Sequence, residues 1–522
     1  MYQKILLVTF LFLLSACGGG SSSGTVDERV PVEERVPVED PATEPVAAPS
    51  LSQFSFVVTN NTELEADIVL SEGEGGLFSG RVETNTPVTS LMASYAFTGS
   101  SVTIGGVAQE SDTSVNDFTD TVVYTVANSE GVTANYSVDL TQFTGLPIIY
   151  LETEGFAPIE SKDDYIAGAV SINGGRNFAD LAYSEMKIRG RGNSTWYLHP
   201  KKPFQMKLDD KAEFLGMPND KKWLFLAQYS DKTLLRNKIT FEMGYLSHLD
   251  WTPQGRFAEV YINDQYNGTY TITQKVEESD NRVALGDTGY LLELDQLERL
   301  DPDDVYFDST ITDRFLINIK EPNLELGSAE YTYIKDLLED FETALYGPNY
   351  RSATAGYAKY IDLDSFVDWY LINEITKNTD SQSWSSMFVN HMPGEKINMG
   401  PLWDFDLSFG NVDYSPAEYS DGFWVKFHPW YERLFQDPAF VEKVKLRFSY
   451  FRQNQDFIVN KIDDYAEQLQ WAQQENDNRW GTIGLAVWPN PVVFDTYQEE
   501  VDHLKSWYSA RMDWLEIALA EL

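Results

Sequence analysis

Between residues 51 and 145 the apolar positions fall on every second residue in short runs. Phe54, Phe56 and Val58 alternate with polar neighbours, and Val122, Tyr124 and Val126 do so again ahead of Tyr136, Val138 and Leu140. A period of two puts one set of side chains on one face of a pleated strand, so these runs predict half-buried strands. Asn128-Ser129-Glu130-Gly131 separates the last two runs and predicts the turn of a hairpin. Repeated short strands with Ser, Thr, Asn and Gly turns predict a small antiparallel all-β sandwich over 51–145. Nothing in it assembles chemistry, so it reads as a spacer or a binding module.

From residue 146 the pattern changes. Leu146-Pro147-Ile148-Ile149-Tyr150-Leu151-Glu152 predicts an apolar strand, and Met186-Lys187-Ile188-Arg189 a second one entering the turn Gly190-Arg191-Gly192-Asn193-Ser194-Thr195. A third strand follows at 203–209, behind Lys201 and Lys202. Apolar residues at helical spacing mark 234–244, and strands are expected at 257–263, 268–276 and 289–295. A sheet with one intervening helix is therefore predicted before residue 300. A helix over 363–377 gathers Leu363, Phe366, Val367, Tyr370, Leu371 and Ile375 near one face, and a hairpin through Met387-Phe388-Val389 and Lys396-Ile397-Asn398 follows. After Pro429 the chain turns helical, and Trp507, Met512, Trp514 and Leu515 are expected to pack the last helix onto this α+β unit, which spans 146–522.

The start of the chain reads differently again. Residues 1–16 combine Lys4 with the apolar run from Ile5 to Leu14, the pattern of a signal segment. That run is shorter than the roughly 20 apolar residues a membrane span requires. Leu14-Ser15-Ala16-Cys17 resembles a bacterial lipobox, which marks Cys17 for lipidation and implies a membrane-anchored lipoprotein at the periplasmic or cell surface. Residues 17–50 form a Gly/Ser tether and a stalk in which Glu-Arg-Val-Pro-Val-Glu occurs twice. The sandwich behind this stalk is similar to the immunoglobulin-like or cadherin-like modules of bacterial surface proteins. Cys17 is the only cysteine, which excludes intramolecular disulfides and multi-cysteine zinc sites. A net charge of −42 over 522 residues repels phosphate backbones and argues against nucleic acid as a partner.

The candidate chemistry is acidic. Gly400-Pro401-Leu402-Trp403-Asp404-Phe405-Asp406-Leu407-Ser408-Phe409-Gly410-Asn411 follows the hairpin that begins beyond Asn378-Thr379-Asp380. Two acidic positions joined by a short β-excursion suit a divalent cation beside a substrate hydroxyl, with Asp380 taking the hydroxyl proton and Asp404 holding the metal. Arg189, Arg191 and Asn193 on the glycine turn are candidates to cradle phosphate. A lysine on the next strand, Lys202 or Lys207, is a candidate phosphate ligand that Glu242 would orient, and Arg236 and Asn237 are further site candidates. The five histidines, His199, His248, His391, His428 and His503, stand in no hydrolase motif.

With these motifs in order, the sequence resembles the spore-coat protein H (CotH) kinase family over roughly 146–520. The resemblance rests on Arg189-Gly190-Arg191-Gly192-Asn193-Ser194-Thr195, Lys201-Lys202-Pro203, Leu235-Arg236-Asn237, Asn378-Thr379-Asp380 and Trp403-Asp404-Phe405-Asp406. It implies an atypical, two-lobed protein-kinase-like fold that uses ATP with Mg²⁺ or Mn²⁺ to phosphorylate Ser or Thr of a surface or coat protein. It further implies Asp380 as the catalytic residue, Asp404 as a metal ligand and Asp406 as a second one. The chain departs from familiar kinases: it lacks His-Arg-Asp and a third glycine in the turn, and Asp406 stands where Gly ends Asp-Phe-Gly. An inert kinase-like scaffold or adhesin, with Trp424, Trp430 or Trp480 stacking on sugars, is the alternative.

Overall fold

The computed structural model describes residues 47–84, 86–382 and 385–522. Residues 1–16, expected to be a signal segment, and Cys17 with most of the expected stalk lie outside the described residues. The first described strand is Ser50–Phe56.

The N-terminal β region closes around Phe54, Phe56, Phe78, Phe118, Tyr124 and Val138. Its strands form sheets of three, six and two strands. The hairpin forms with Val122 opposite Val138 and Tyr124 opposite Tyr136, and Asn128 turns it by accepting the Glu130 and Val132 N–H groups on its Oδ1. The expectation of purely antiparallel pairing is corrected: Leu77–Val82 runs parallel to Thr133–Gln142. A parallel pair needs a crossover rather than a tight turn, and the chain between 82 and 133 supplies it.

Next comes a closed seven-stranded barrel, ordered Ile148–Thr153, Ile166–Asn173, Leu181–Gly190, Phe204–Phe214, Met217–Leu226, Gln265–Gln274 and Gly255–Ile262. Closure comes from parallel pairing of the first strand with Gly255–Ile262. Alternate residues fill the interior, among them Ile188, Met206, Leu208, Trp223, Tyr270 and Ile272.

The expected strand at 289–295 forms, but it leaves this sheet. Tyr290–Asp295 pairs with Leu316–Glu321 and Met387–His391 in a separate five-stranded sheet that also holds Val305–Asp308 and Ile397–Met399. The physical reason is two-sided burial: Leu291 packs with Leu224, Leu226, Phe388 and Trp403, while Leu292 and Leu294 enter the large helical core.

That core joins Leu338 and Phe341 of the Ala329–Tyr346 helix, Phe366 and Trp369 of Leu363–Thr376, and Leu504, Met512 and Leu515 of Tyr497–Ala520. Asp362 caps the middle helix by accepting the Ser365 N–H at 2.8 Å, and Lys377 ends it in left-handed backbone at φ 51°. The Arg236–Tyr245 helix has no solvent face, since every residue from Arg236 to Gly244 is buried. Its charged side chains are therefore paired inside the protein, as buried charges must be. Among the described residues no helix is long and apolar enough to cross a membrane.

Candidate functional site

A cleft of about 490 Å³ opens between the barrel and the five-stranded sheet. The barrel contributes Arg189, Arg191, Asn193, Leu224 and Leu226; the sheet contributes Leu291, Glu293, Asp295, Lys320 and Phe388; intervening segments bring Lys275, Asp380, Trp403, Asp404 and Asp406.

Local hydrogen bonds fix the acidic floor. Beyond the helix end at Thr376, Asn378 accepts the Asp380 N–H at 3.3 Å and donates to the Asp404 carbonyl at 3.3 Å, so one carboxamide ties the two aspartate segments together. Thr379 adds a bond to the Leu407 carbonyl at 2.9 Å. Lys377 donates to the carbonyls of Pro416, Tyr419 and Asp421, which holds the loop beyond Asp406 against the same turn. Asp404 itself has left-handed backbone, φ 62°, a conformation that aspartate adopts more readily than most residues. Phe405 and Phe409 are fully buried on either side of the floor, and the Phe409 N–H donates to the Thr376 carbonyl at 2.7 Å.

The carboxylates act on one another. Burial and then the charge of Asp404 push Asp380 up to about 6, with Arg299 opposing. Burial also raises Asp404, against Arg191 and Arg299, and it raises Asp406 well above the usual carboxylate range with help from Asp404, Asp380 and Asp231. Such mutual repulsion at a protein-walled site is what an added cation relieves.

Arg191 is half-buried over the Trp403 ring, 5.5 Å from its centroid, within reach of the charges of Asp404 and Asp406. Arg189 stacks on Tyr165 at 4.8 Å and donates to the Asp163 carbonyl at 3.2 Å, while Lys162 donates to Asn193 Oδ1 at 3.1 Å. The glycines have distinct reasons to be there. A Cβ on Gly190 would lie 2.3 Å from the Trp196 ring, and Gly192 has φ 83°.

Of the residues singled out by sequence, Asp380, Asp404, Asp406, Arg189, Arg191 and Asn193 share the cleft. Four others do not line it. Lys202 donates to the carbonyls of Trp196 at 2.5 Å and His199 at 2.6 Å, which folds the loop after the glycine turn. Lys207 lies on the outer barrel face between Lys187 and Lys222, because Met206 and Leu208 take the interior positions. Arg236 sits behind the floor, bonded to Asp231 at 2.5 Å and to the Ser408 carbonyl at 3.1 Å. Glu242 pairs with Lys238 at 3.1 Å and accepts from Tyr465 at 2.6 Å. The neighbour Asn237 does line the cleft and accepts the Phe405 N–H at 2.8 Å.

Sequence reasoning missed Lys162, Lys275, Lys320, Arg299, Glu293 and Asp295, which also line the cleft. No motif surrounds them, and only the packing of barrel on sheet brings them together. Of the tryptophans considered for sugar stacking, Trp430 is fully buried, while Trp424 and Trp480 are half-buried, with their indole N–H groups donating to the carbonyls of Asn378 and Asn267.

Among the described residues no group of three or more His, Cys, Asp or Glu side chains closes around a metal position. The donor set still fits Mg²⁺ or Mn²⁺, because such ions are held by one or two carboxylates together with substrate phosphates and water, and Asp404 and Asp406 supply that number.

The sequence model described as CotH kinase protein matches residues 188–515, more than half of the chain, and the chain belongs to that family. No curated protein matches it. Among solved structures, a candidate glycoside hydrolase from Bacteroides thetaiotaomicron VPI-5482 is 13% identical and covers 57% of this chain and 88% of its own. Its TM-score of 0.15 is too low to bear on fold or function.

Proposed function

We propose that the protein transfers the γ-phosphoryl group of ATP to a Ser or Thr hydroxyl of a cell-surface or coat protein, as an atypical kinase. The observation that carries this reading is the sharing of one cleft by Asp380, Asp404 and Asp406 with the Arg191 guanidinium. The barrel then corresponds to a small lobe and the five-stranded sheet with its helices to a large one. Leu224, Leu226, Leu291 and Phe388 make an apolar end suited to a nucleobase, while Arg189, Arg191 and Asn193 meet phosphate oxygens.

Asp380 takes the proton of the acceptor hydroxyl, as a carboxylate in the same cleft as Asp404 but left free of the cation. Asp404 and Asp406 hold the divalent cation. Mg²⁺ or Mn²⁺ supplies neutralisation of charge on the phosphoryl oxygens when bound. Outside the cleft, Cys17 would carry the lipid that anchors the chain to a bacterial membrane.

Calorimetric titration of the full chain with ATP and Mg²⁺ tests the site. Binding is expected in wild type, and Arg191→Met should weaken it about tenfold or more, the worth of a charge-assisted hydrogen bond. Absence of binding in wild type would contradict the proposal.

A further inference from the structure

Tyr414 and Trp488 stand at the rim of the same cleft and stack on each other, with ring centroids 5.8 Å apart and planes 19° from parallel. Both are about half exposed, 53% and 49%, whereas Trp403, which lines the same cleft, is 8% exposed. Other rings are open to solvent as well, but these two are stacked on each other and line the cleft that holds the acidic floor. The two rings make a shelf.

The shelf is rigidly tied to the floor. Asn411, three positions before Tyr414, donates to the Asp406 carbonyl at 2.8 Å and to the Ser230 carbonyl at 3.1 Å. Asn490, two positions after Trp488, donates to Asn411 Oδ1 at 2.8 Å and to the same Ser230 carbonyl at 2.7 Å. One hub therefore sets both aromatic segments in a fixed relation to Asp406.

We infer that the Tyr414–Trp488 shelf is the acceptor wall of the cleft, on which the side chain neighbouring the acceptor hydroxyl packs by ring-face contact. This inference rests on the phosphotransfer reading of the floor. Its direction follows from charge. Burial first, and then the charges of Asp380, Asp406 and Asp413, push the Tyr414 phenol up to about 12, with the single cation Arg299 opposing. Asp406 is assigned to the cation, but Asp380 and Asp413 are not, and their charge beside the shelf disfavours the phosphates of a nucleotide there, whereas Arg189 and Arg191 on the barrel side attract them. Of the floor carboxylates, Asp380 is the one assigned to the acceptor hydroxyl. A segment that presents its hydroxyl to Asp380 thus meets Tyr414 and Trp488 as its next surface.

The test uses the full chain, labelled ATP with Mg²⁺, and one Ser-containing peptide chosen as the best acceptor from a degenerate Ser/Thr peptide mixture. Trp488→Ala is expected to raise the peptide KM about tenfold, as loss of a ring-face contact does, while the ATP Kd stays within about twofold. Trp488→Phe keeps a ring on the shelf and should recover most of the peptide affinity. Thermal unfolding of both variants shows that each remains folded, and Tyr414→Leu repeats the test from the other ring if Trp488→Ala does not.

Weakened ATP binding with an unchanged peptide KM would overturn the inference by making the shelf a nucleotide wall. Unchanged values of both would overturn it as well. If wild type transfers phosphate and only the variants behave wrongly, the shelf assignment alone falls; if wild type transfers none, the phosphotransfer reading falls and takes the shelf with it.

Discussion

Asn237 accepts the Phe405 N–H at 2.8 Å, so a buried helix packed beside the barrel holds the backbone next to Asp404. Asp404 occupies left-handed backbone, and a bond one residue away restrains it there. Replacing Asn237 by Ala leaves the Phe405 N–H unpaired in the interior, a loss of about 1–3 kcal/mol in stability. The same change should lower the transfer rate at saturating ATP roughly tenfold or more, because small misplacements of catalytic groups are costly. Urea unfolding and initial rates of labelled-phosphate incorporation measure the two effects. A wild-type rate would show that this bond does not position Asp404.

The C-terminal helix is tied to the Leu363–Thr376 helix through a buried ion pair. Arg511 and Glu374 meet at 2.6 Å with both side chains inaccessible, and Arg511 also donates to the carbonyls of Ser420 and Gly422. Glu374 in turn accepts the N–H groups of Trp424 and Lys426. Arg511→Met strands the carboxylate and is expected to cost about 3–5 kcal/mol in urea unfolding. Adding Glu374→Gln removes the stranded charge and should restore part of that loss.

Asp380 gives a pH dependence with a defined sign. Its carboxyl is raised from 3.8 to about 6 in the folded protein, so the fold binds this proton more tightly than the unfolded chain does. The ionised group therefore opposes folding, an effect absent below about pH 4 and complete above about pH 6. In chelator at pH 7.5, Asp380→Asn should stabilise the chain by about 1–2 kcal/mol after allowance for solvent in the cleft. The gain should shrink as the pH falls toward 4.5. Chemical denaturation at the two pH values reads it directly, and an equal gain at both would contradict the assigned cause.

Lys207 lies on the outer barrel face, away from the cleft. Lys207→Met is expected to leave the transfer rate within about twofold of wild type, like other surface changes. Arg191→Met, which removes the guanidinium facing Asp404 and Asp406, should lower it by about tenfold or more. Parallel rate measurements on the two variants separate the cleft from the barrel surface.

The acidic floor was legible in the sequence because its parts are local. Asp404 and Asp406 stand in one short segment, and Asp380 follows a helix whose end could be placed from its apolar spacing. The glycine turn was legible for the same reason, and it delivers Arg189, Arg191 and Asn193 to the cleft. Lys207 was misplaced because alternation tells which side of a strand a residue takes but not which part of that side faces a neighbour. Lys275 and Lys320 could not be found, since Tyr290–Asp295 leaves the barrel for a second sheet and the cleft exists only once that sheet is built. A period of two is the same in either sheet. The choice between Arg236 and Asn237 also depended on packing: Arg236 turns to Asp231 behind the floor, while Asn237 turns to Phe405.

Transfer of labelled phosphate from ATP tests the central claim most directly. The full chain is incubated with Mg²⁺ or Mn²⁺ and a degenerate Ser/Thr peptide mixture, beside Asp380→Ala and Asp404→Ala. The account predicts incorporation by wild type that falls by at least about a hundredfold in each variant, as loss of a general base or of a metal ligand does. Incorporation that persists unchanged in both variants would contradict the assignment of the site.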